Sequence, residues 1–288
     1  MWISAAIPQV ALVSDAPNLE VQLIAAHVLQ KPRTWLITHE DHLLESQQQN
    51  ELDHLLARLL KGEPLPYLLG KQEFFGLEFL VNPNVLIPRP ETERLIELTL
   101  NWLSVHPEAR HGMDIGTGSG CIAITLCKQR PDISMTAIDI STQALLIAQE
   151  NATRHQVTQQ IDFIQADLFP SDRPAPDFLC ANLPYIPKSR LAHLPVAQHE
   201  PTLALAGGED GFALITRLLT MLKTYPIPFM IFEMDDTHAP IALSAAQAAF
   251  PKAQIRIQPD LTERDRFLVI ENPILPDPAV NLRQNKSH

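Results

Sequence analysis

Asn182-Leu183-Pro184-Tyr185 closes the apolar run Phe178-Leu179-Cys180-Ala181, and its residue types suit the holding of a planar NH2 group while its nitrogen attacks an electrophile. The Asn182 carboxamide oxygen accepts one N–H, and the backbone carbonyl of Leu183 accepts a second. Pro184 restricts the backbone to an extended or turn geometry. Tyr185 offers a flat face to pack on a planar group and π density near a cation. An Asn and a Pro at a strand end are ordinary punctuation by themselves. The weight of the tetrapeptide comes from what precedes it.

Asp114-Ile115-Gly116-Thr117-Gly118-Ser119-Gly120 follows a short strand and opens a helix from Cys121 to Lys128. Glycines so spaced turn the chain tightly and bring its backbone close to a ligand. A dinucleotide fingerprint would need glycine at 121, where this chain has Cys121, and no Lys-Ser/Thr pair follows to make a phosphate loop. The Asp114 carboxylate suits an ammonium or hydrated ligand better than a pyrophosphate. The next strand, Ile133 to Ile138, ends in Asp139, about 20 residues past the loop, where an acid holds ribose hydroxyls in Rossmann-like sheets. A plain glycine turn with a helix cap would not bring loop, strand and acid in this order.

The elements that must position these residues alternate. Strands are expected at Met113 to Ile115, Ile133 to Ile138, Ile161 to Ile164, Phe178 to Ala181, Pro228 to Phe232, Gln254 to Ile257 and Arg266 to Ile270, with helices near 121–129, 141–153, 210–223 and 239–249. This predicts an α/β fold: a mostly parallel sheet with helices on both faces. Ligands sit at the carboxyl ends of such strands, and Asp114, Asp139, Asp167 and Asn182 all fall there.

Upstream the pattern differs. The first sixty residues lack glycine and read as helices, for example Leu19 to Leu29 and Glu51 to Lys61; in the second, Leu52, Leu55, Leu56, Leu59 and Leu60 form one buried stripe. Phe74 to Phe79 reads as a hairpin connector, and Thr92 to Leu103 as a helix after Pro88-Arg89-Pro90 with Glu91 and Glu93 at its start. The expected organisation is a small all-helical domain over 1–72, a hairpin linker over 73–85, the sheet domain over 86–275 and a loose polar tail over 276–288. Arg89 has two readings: an ion pair with Glu91 or Glu93, or a contact to cofactor or substrate.

Length and composition bound the rest. A chain of 288 residues makes one large domain or two. A net charge of −11 without a Lys/Arg run makes duplex DNA a poor expectation for the main partner. Hydrophobic content is 45%, but no apolar run approaches membrane-spanning length. The apolar start, Met1 to Ile7, lacks the basic region of a signal peptide. Cys121, Cys127 and Cys180 fall in expected core elements, which suits reduced thiols in the cytoplasm. No Cys or His cluster has metal spacing, so no metal is expected.

Together, Asp114-x-Gly-x-Gly-x-Gly120, Asp139, Asp167-Leu168-Phe169 and Asn182-Leu-Pro-Tyr185 resemble the class I S-adenosylmethionine-dependent methyltransferases that act on amino groups. More narrowly, Gly62-Glu-Pro-Leu-Pro-Tyr67, Gly70-x-x-Glu73-Phe74, Leu86-Ile-Pro-Arg-Pro-Glu-Thr-Glu93, Glu200-Pro201 and Ala206-Gly-Gly-Glu-Asp-Gly211 resemble the peptide chain release factor glutamine N5-methyltransferases. The resemblance spans about Pro17 to Glu271. It implies a Rossmann-like sheet, S-adenosylmethionine as cofactor, and as substrate the glutamine of the Gly-Gly-Gln motif in class 1 release factors. It implies that Gly116, Thr117, Gly118, Ser119 and Gly120, with Asp114, hold the methionyl part. Asp139 would hold the ribose, Asp167 and Leu168 the adenine, and Asn182, Leu183, Pro184 and Tyr185 the glutamine amide, Asn182 also bordering the cofactor. Pro88 to Glu93 would line the site from the domain junction.

There are departures. Leu183 stands where the family usually has proline, though only its backbone carbonyl is expected to act. His111-Gly112-Met113 is a thin first strand, and Leu168 stands where some relatives carry Trp. The helical domain is expected to recognise the protein substrate, in a cytoplasmic monomer making no direct DNA contact. The alternatives are an adenine-N6 or cytosine-N4 DNA methyltransferase, which faces the same NH2 problem, and a silent relative of the fold acting as a binding protein.

Overall fold

The computed structural model describes residues 2–39 and 41–273, so the tail expected over 276–288 lies outside the described residues. The chain begins with helices: α1 (Trp2–Val10), α2 (Pro17–Leu29), α3 (Arg33–Thr38), α4 (Ser46–Leu59) and the single turn α5 (Leu65–Leu69). Proline at the first turn of α2 fits because that N–H has no helical partner anyway. Helix α4 starts five residues earlier than its leucine stripe implies. Glu45 and Gln48 form a reciprocal capping box that nucleates the polar first turn, Gln48 Oε1 accepting the Glu45 N–H at 3.0 Å. Helices α1, α2, α4 and α5 share a core of their own, including Val10, Val21, Ile24, Val28, Leu52, Leu55, Leu59 and Leu68, and Leu36 of α3 packs with Ala25 and Leu29 of α2.

A hairpin follows, β1 (Lys71–Phe74) and β2 (Leu77–Leu80), turning at Phe75-Gly76. The expected boundary at 72 therefore falls inside β1, whose ladder begins with Lys71 opposite Leu80. The hairpin is tied down twice: Glu93 Oε1 accepts the Phe75 N–H at 2.8 Å, and the Asn151 carboxamide pairs with both backbone groups of Leu80 at 2.7 and 3.0 Å.

Then α6 (Glu93–Val105), β3 (His111–Ile115), α7 (Cys121–Gln129), β4 (Ser134–Asp139), α8 (Thr142–Arg154), β5 (Ile161–Gln165) and β6 (Phe178–Ala181) alternate. Short turns α9 (Lys188–Leu191) and α10 (Thr202–Leu205) lead into α11 (Ala213–Leu222), β7 (Phe229–Glu233), α12 (Ala239–Ala249), β8 (Gln254–Pro259) and β9 (Asp265–Glu271). The seven strands form one sheet in the order β5-β4-β3-β6-β7-β9-β8, parallel from β5 to β7 and antiparallel at β9 and β8. Two cores flank it. Leu95, Ile96, Leu103, Ile122 and Leu126 lie in one; Ile215, Leu218, Leu222, Ala242 and Ala246 lie in the other.

Two differences from the sequence reading have local causes. Strand β3 includes His111 and Gly112, although no aliphatic run marks them. A Cβ on Gly112 would sit 2.3 Å from the Phe178 ring and 2.5 Å from Met135 Sδ, so the strand lacks a side chain there because its neighbours fill the space. Helix α11 begins at Ala213 rather than 210, because Asp210 Oδ1 accepts the Phe212 N–H at 2.9 Å and closes a turn first.

The chain passes β3, β4 and β5 in one direction, then returns across to β6 on the other side of β3. The carboxyl ends of β3 and β6 therefore flank the switch point, where open α/β sheets hold ligands.

Candidate active site

A cavity of about 640 Å³ opens at that switch point. The glycine loop forms its floor. Gly116 and Thr117 donate their N–H groups to the Ile138 carbonyl at 2.8 and 2.9 Å, which bends the loop over the end of β4. Gly118 has φ +54° and nothing within 4 Å of where a Cβ would lie, so the loop presents bare backbone. Gly120 serves packing: a Cβ there would meet Ile124 and Ala148 at 2.8 and 3.1 Å.

Asp139 ends β4 on the cavity wall. Its Oδ2 accepts the Gly118 N–H and its Oδ1 the Ser141 N–H, both at 2.9 Å. Burial raises its pKa, against the pull of these donors. Each oxygen keeps a further acceptor site for a ligand hydroxyl. Ile138, Ile140, Ala166, Leu168 and Leu214 supply apolar wall beside it. Leu168 holds φ +65°, an uncommon conformation for a branched side chain, and turns at the cavity rim. Asp167 also lines the cavity, and its carboxylate pairs with Arg217, another wall residue, at 2.7 Å.

Asp114 departs from expectation. It is fully buried, belongs to no cavity wall, and sits under the loop rather than against a ligand. Strand alternation is the reason: Met113 and Ile115 face the α11 and α12 core, so Asp114 points to the α7 side. Its Oδ2 accepts the Thr117 hydroxyl at 2.6 Å and the Ala123 N–H at 3.3 Å, staking the loop to the first turn of α7. Desolvation pushes its pKa up to about 7.

The tetrapeptide after β6 supplies the opposite wall. Asn182, Leu183 and Pro184 line the cavity, and a Cβ on Gly116 would lie 3.0 Å from Leu183 Cδ2. The Asn182 NH2 donates to Thr92 Oγ1 at 3.0 Å, which leaves the carboxamide oxygen unengaged by that contact. Tyr185 stands behind the wall and donates its phenol to Glu233 Oε1 at 3.3 Å; burial raises its pKa strongly.

Of the stretch Pro88 to Glu93 expected to line the site, Pro88, Arg89 and Thr92 reach the cavity, and Pro90, Glu91 and Glu93 do not. Arg89 pairs with neither Glu91 nor Glu93 but with Glu200, Nη2 to Oε1 at 2.5 Å. The buried Glu200 also accepts the Ile87 N–H at 3.4 Å, so one carboxylate fastens the Ile87–Arg89 segment to the chain entering α10. Two residues escaped the sequence reading as site groups, Glu200 and Glu233, while Thr92 entered it only as part of the stretch Pro88 to Glu93. Glu233 was within reach of the rule that found the others, since it directly follows the run Pro228 to Phe232 at a strand's carboxyl end.

Residues 94–198 match the methyltransferase small domain model, and residues 2–70 match the PrmC N-terminal domain model. The catalytic domain of human METTL16, solved with the MAT2A 3′UTR hairpin 6, superposes with a TM-score of 0.58 at 15% identity, over 70% of this chain and 77% of that one. That likeness is one of fold, and the fold is that of the class I methyltransferases. The release factor glutamine methyltransferase of Nitratidesulfovibrio vulgaris is 37% identical over 269 residues, covering 91% of this chain and 90% of that protein. That of Koribacter versatilis is 37% identical over 264 residues, covering 90% and 93%. The chain belongs to the release factor glutamine methyltransferases.

Proposed function

We propose that this enzyme methylates the side-chain nitrogen of the glutamine in the Gly-Gly-Gln motif of class 1 release factors, with Asn182 as the residue that presents the amide. The observation that carries this is the Asn182 carboxamide: its NH2 is held by Thr92 at 3.0 Å on the wall of the cavity that the glycine loop floors. An acceptor oxygen so placed suits a substrate N–H.

The cavity fits S-adenosylmethionine by three features. Its volume lies in the range of about 300–1,000 Å³ common for small-molecule sites. Gly118 leaves open space that any side chain would fill. A half-buried carboxylate, Asp139, stands beside apolar wall, matching a diol next to a flat base. When bound, S-adenosylmethionine would supply an electrophilic methyl carbon, its sulfur leaving as a neutral thioether, and the methylated amide nitrogen would give up one proton to water. Gly116 to Ser119 would face its methionyl part, Asp139 its ribose, and Leu168 with Ile140 its adenine. Asp114 acts from below by holding the loop's shape.

A carboxamide nitrogen is a weak nucleophile because its lone pair is conjugated with the carbonyl. The carboxylates on the cavity wall are Asp139, bound to two backbone N–H groups, and Asp167, paired with Arg217. Neither is free to serve as a strong base beside Asn182. Catalysis therefore rests on position. Asn182 Oδ1 and the Leu183 carbonyl accept the two N–H hydrogens, turning the nitrogen's π lone pair toward the reacting carbon. Alignment of this kind lowers barriers by several kcal/mol. Leu183 in place of proline leaves that carbonyl intact.

The helical N-terminal unit is the candidate reader of the protein substrate. It has its own core and contributes no residue to the cavity wall among the described residues. A formal charge of −11 favours a protein partner over a nucleic acid backbone. We take the enzyme to be a cytoplasmic monomer; no helix of the described residues is long and apolar enough to cross a membrane.

Asn182→Ala tests the assignment. Transfer of a labelled methyl group to a class 1 release factor, located by mass spectrometry, is expected to fall by about 10²–10³-fold, the scale of losing one aligned hydrogen-bonding group in a transition state. Cofactor affinity by calorimetry should stay within about threefold. Full transfer by the variant, or label in DNA instead of release factor, would overturn the reading.

A further inference from the structure

We infer that Thr92 and Glu233 are positioning residues for the reaction: a hydroxyl relay from Glu233 through Thr92 dictates which end of the Asn182 carboxamide faces the cavity. The inference rests on the role assigned to Asn182 above and adds what gives that residue its polarity. An asparagine side chain is nearly symmetric in shape. Turned over, it would offer the cavity two N–H donors, and a substrate NH2 would meet donors where it needs acceptors.

The structure removes that freedom by counting protons. Thr92 Oγ1 donates to Glu233 Oε2 at 2.7 Å. A hydroxyl has one proton, so only lone pairs remain for Asn182 at 3.0 Å. The NH2 end satisfies them; the oxygen end would oppose lone pair to lone pair. The same carboxylate takes the Tyr185 phenol on its other oxygen at 3.3 Å. One acid at the end of β7 thus holds both outer residues of the tetrapeptide that follows β6.

Three observations set this apart from ordinary core satisfaction. Thr92 and Glu233 are 2% and 1% exposed, so water does not compete for either contact. Thr92 closes the 3₁₀ turn Pro90–Thr92 that runs straight into α6, with helical φ −65° and ψ −20°, so its hydroxyl has no helix N–H to cap and is given to Glu233. Burying a carboxylate is unfavourable, and its pKa rises to about 7 through desolvation. Arg266 from β9 favours the charged form and Glu91 opposes it, while Thr92 and Tyr185 donate to it. Holding α6 against β7 would not by itself call for a carboxylate; apolar contacts join these elements elsewhere, Trp102 stacking on Phe229 among them.

The test uses the full-length enzyme with S-adenosylmethionine and a class 1 release factor. Thr92→Val keeps the shape and removes the hydroxyl. It is expected to lower kcat by about 10–100-fold, the range for one misdirected polar contact, with cofactor affinity within about threefold of wild type. Thr92→Ser, which restores the hydroxyl, should recover most of kcat. Glu233→Gln can still accept from Thr92 and should stay active; Glu233→Met frees the Thr92 proton to turn on the Asn182 oxygen and should match Thr92→Val. The double variant should lose no more than the worse single one, as for groups acting through one contact. NMR gives a readout apart from turnover: one set of Asn182 side-chain NH2 signals in wild type and Thr92→Ser, and a second set in Thr92→Val. A Thr92→Val enzyme with normal kcat beside an inactive Asn182→Ala, or no recovery in Thr92→Ser, overturns the relay. An active Asn182→Ala overturns the functional reading beneath it.

Discussion

Asn182→Asp turns the relay into a measurable titration. In the native enzyme the NH2 of Asn182 and the carboxylate of Glu233 stand on either side of the Thr92 hydroxyl, at 3.0 and 2.7 Å. A carboxyl group at 182 would put two acids around one hydroxyl proton, their near oxygens roughly 5 Å apart for ordinary hydroxyl geometry. At an effective dielectric constant of about 20, two unit charges at that distance repel by about 3 kcal/mol, equivalent to a rise of about two in pKa. Glu233 already holds its proton to about pH 7 because it is buried. The pair should therefore retain one proton to roughly pH 9, titrating as a unit rather than as two separate acids. With that proton on position 182, the side chain donates to Thr92 and accepts from substrate, as asparagine does. Above that pH it can still accept but has no proton to give Thr92, whose single hydroxyl proton then lies between two carboxylates that repel and displace the 182 side chain. The expected result is a variant active near pH 7 whose kcat, divided by that of wild type, falls at least about tenfold between pH 7 and roughly 9.5. Initial-rate methyl transfer across that range measures it. A flat ratio, a ratio that rises with pH, or an enzyme inactive at every pH would refute the proton-counting argument.

Asp139→Ala should weaken S-adenosylmethionine binding by about 10–100-fold in calorimetry, the scale of losing charge-assisted hydrogen bonds; unchanged affinity would mean that the ribose partner lies elsewhere. Glu233→Gln should stabilise the fold at neutral and higher pH. The folded-state pKa of about 7 lies above the ordinary 4.5, so the folded protein binds the proton more tightly, and stability present below about pH 4.5 is lost as pH rises through about 7. That gap corresponds to about 3 kcal/mol, so the thermal midpoint of the variant should gain on wild type by several degrees between pH 5 and 7 and level off above; Asp114 titrates in both proteins and cancels. Removing the helices through residue 61 while keeping the buried Tyr67, whose phenol donates to the Val85 carbonyl at 2.6 Å, should leave cofactor binding intact and collapse kcat/KM for whole release factor. A folded truncation that methylates full-length release factor at the normal rate would exclude a recognition role.

The sequence alone determined the order of elements and most of the wall of the site. Glycine spacing, an acid at the end of the second strand and Asn-x-Pro-Tyr after β6 are local signals, because loop geometry and strand ends are written in adjacent residues. The strand–helix alternation and the leucine stripe of α4 are local in the same way. Only the tertiary structure decided how those residues divide the work. Asp114 belongs to the glycine motif, yet the two-residue alternation of β3 turns it under the loop and away from the cavity. Arg89 meets Glu200, 111 residues away, rather than a neighbouring glutamate. Gly112 carries no strand signal of its own, and the Phe178 ring of the neighbouring strand occupies its side-chain space. The polarity of Asn182 depends on Thr92 and Glu233, 90 residues before it and 51 after it by sequence number. Sheet order brings those three together, since β6 lies between β3 and β7 and α6 packs across β7. A hydrogen bond between distant segments has no periodicity and no spacing, so it leaves no trace in the sequence until the fold supplies the contact.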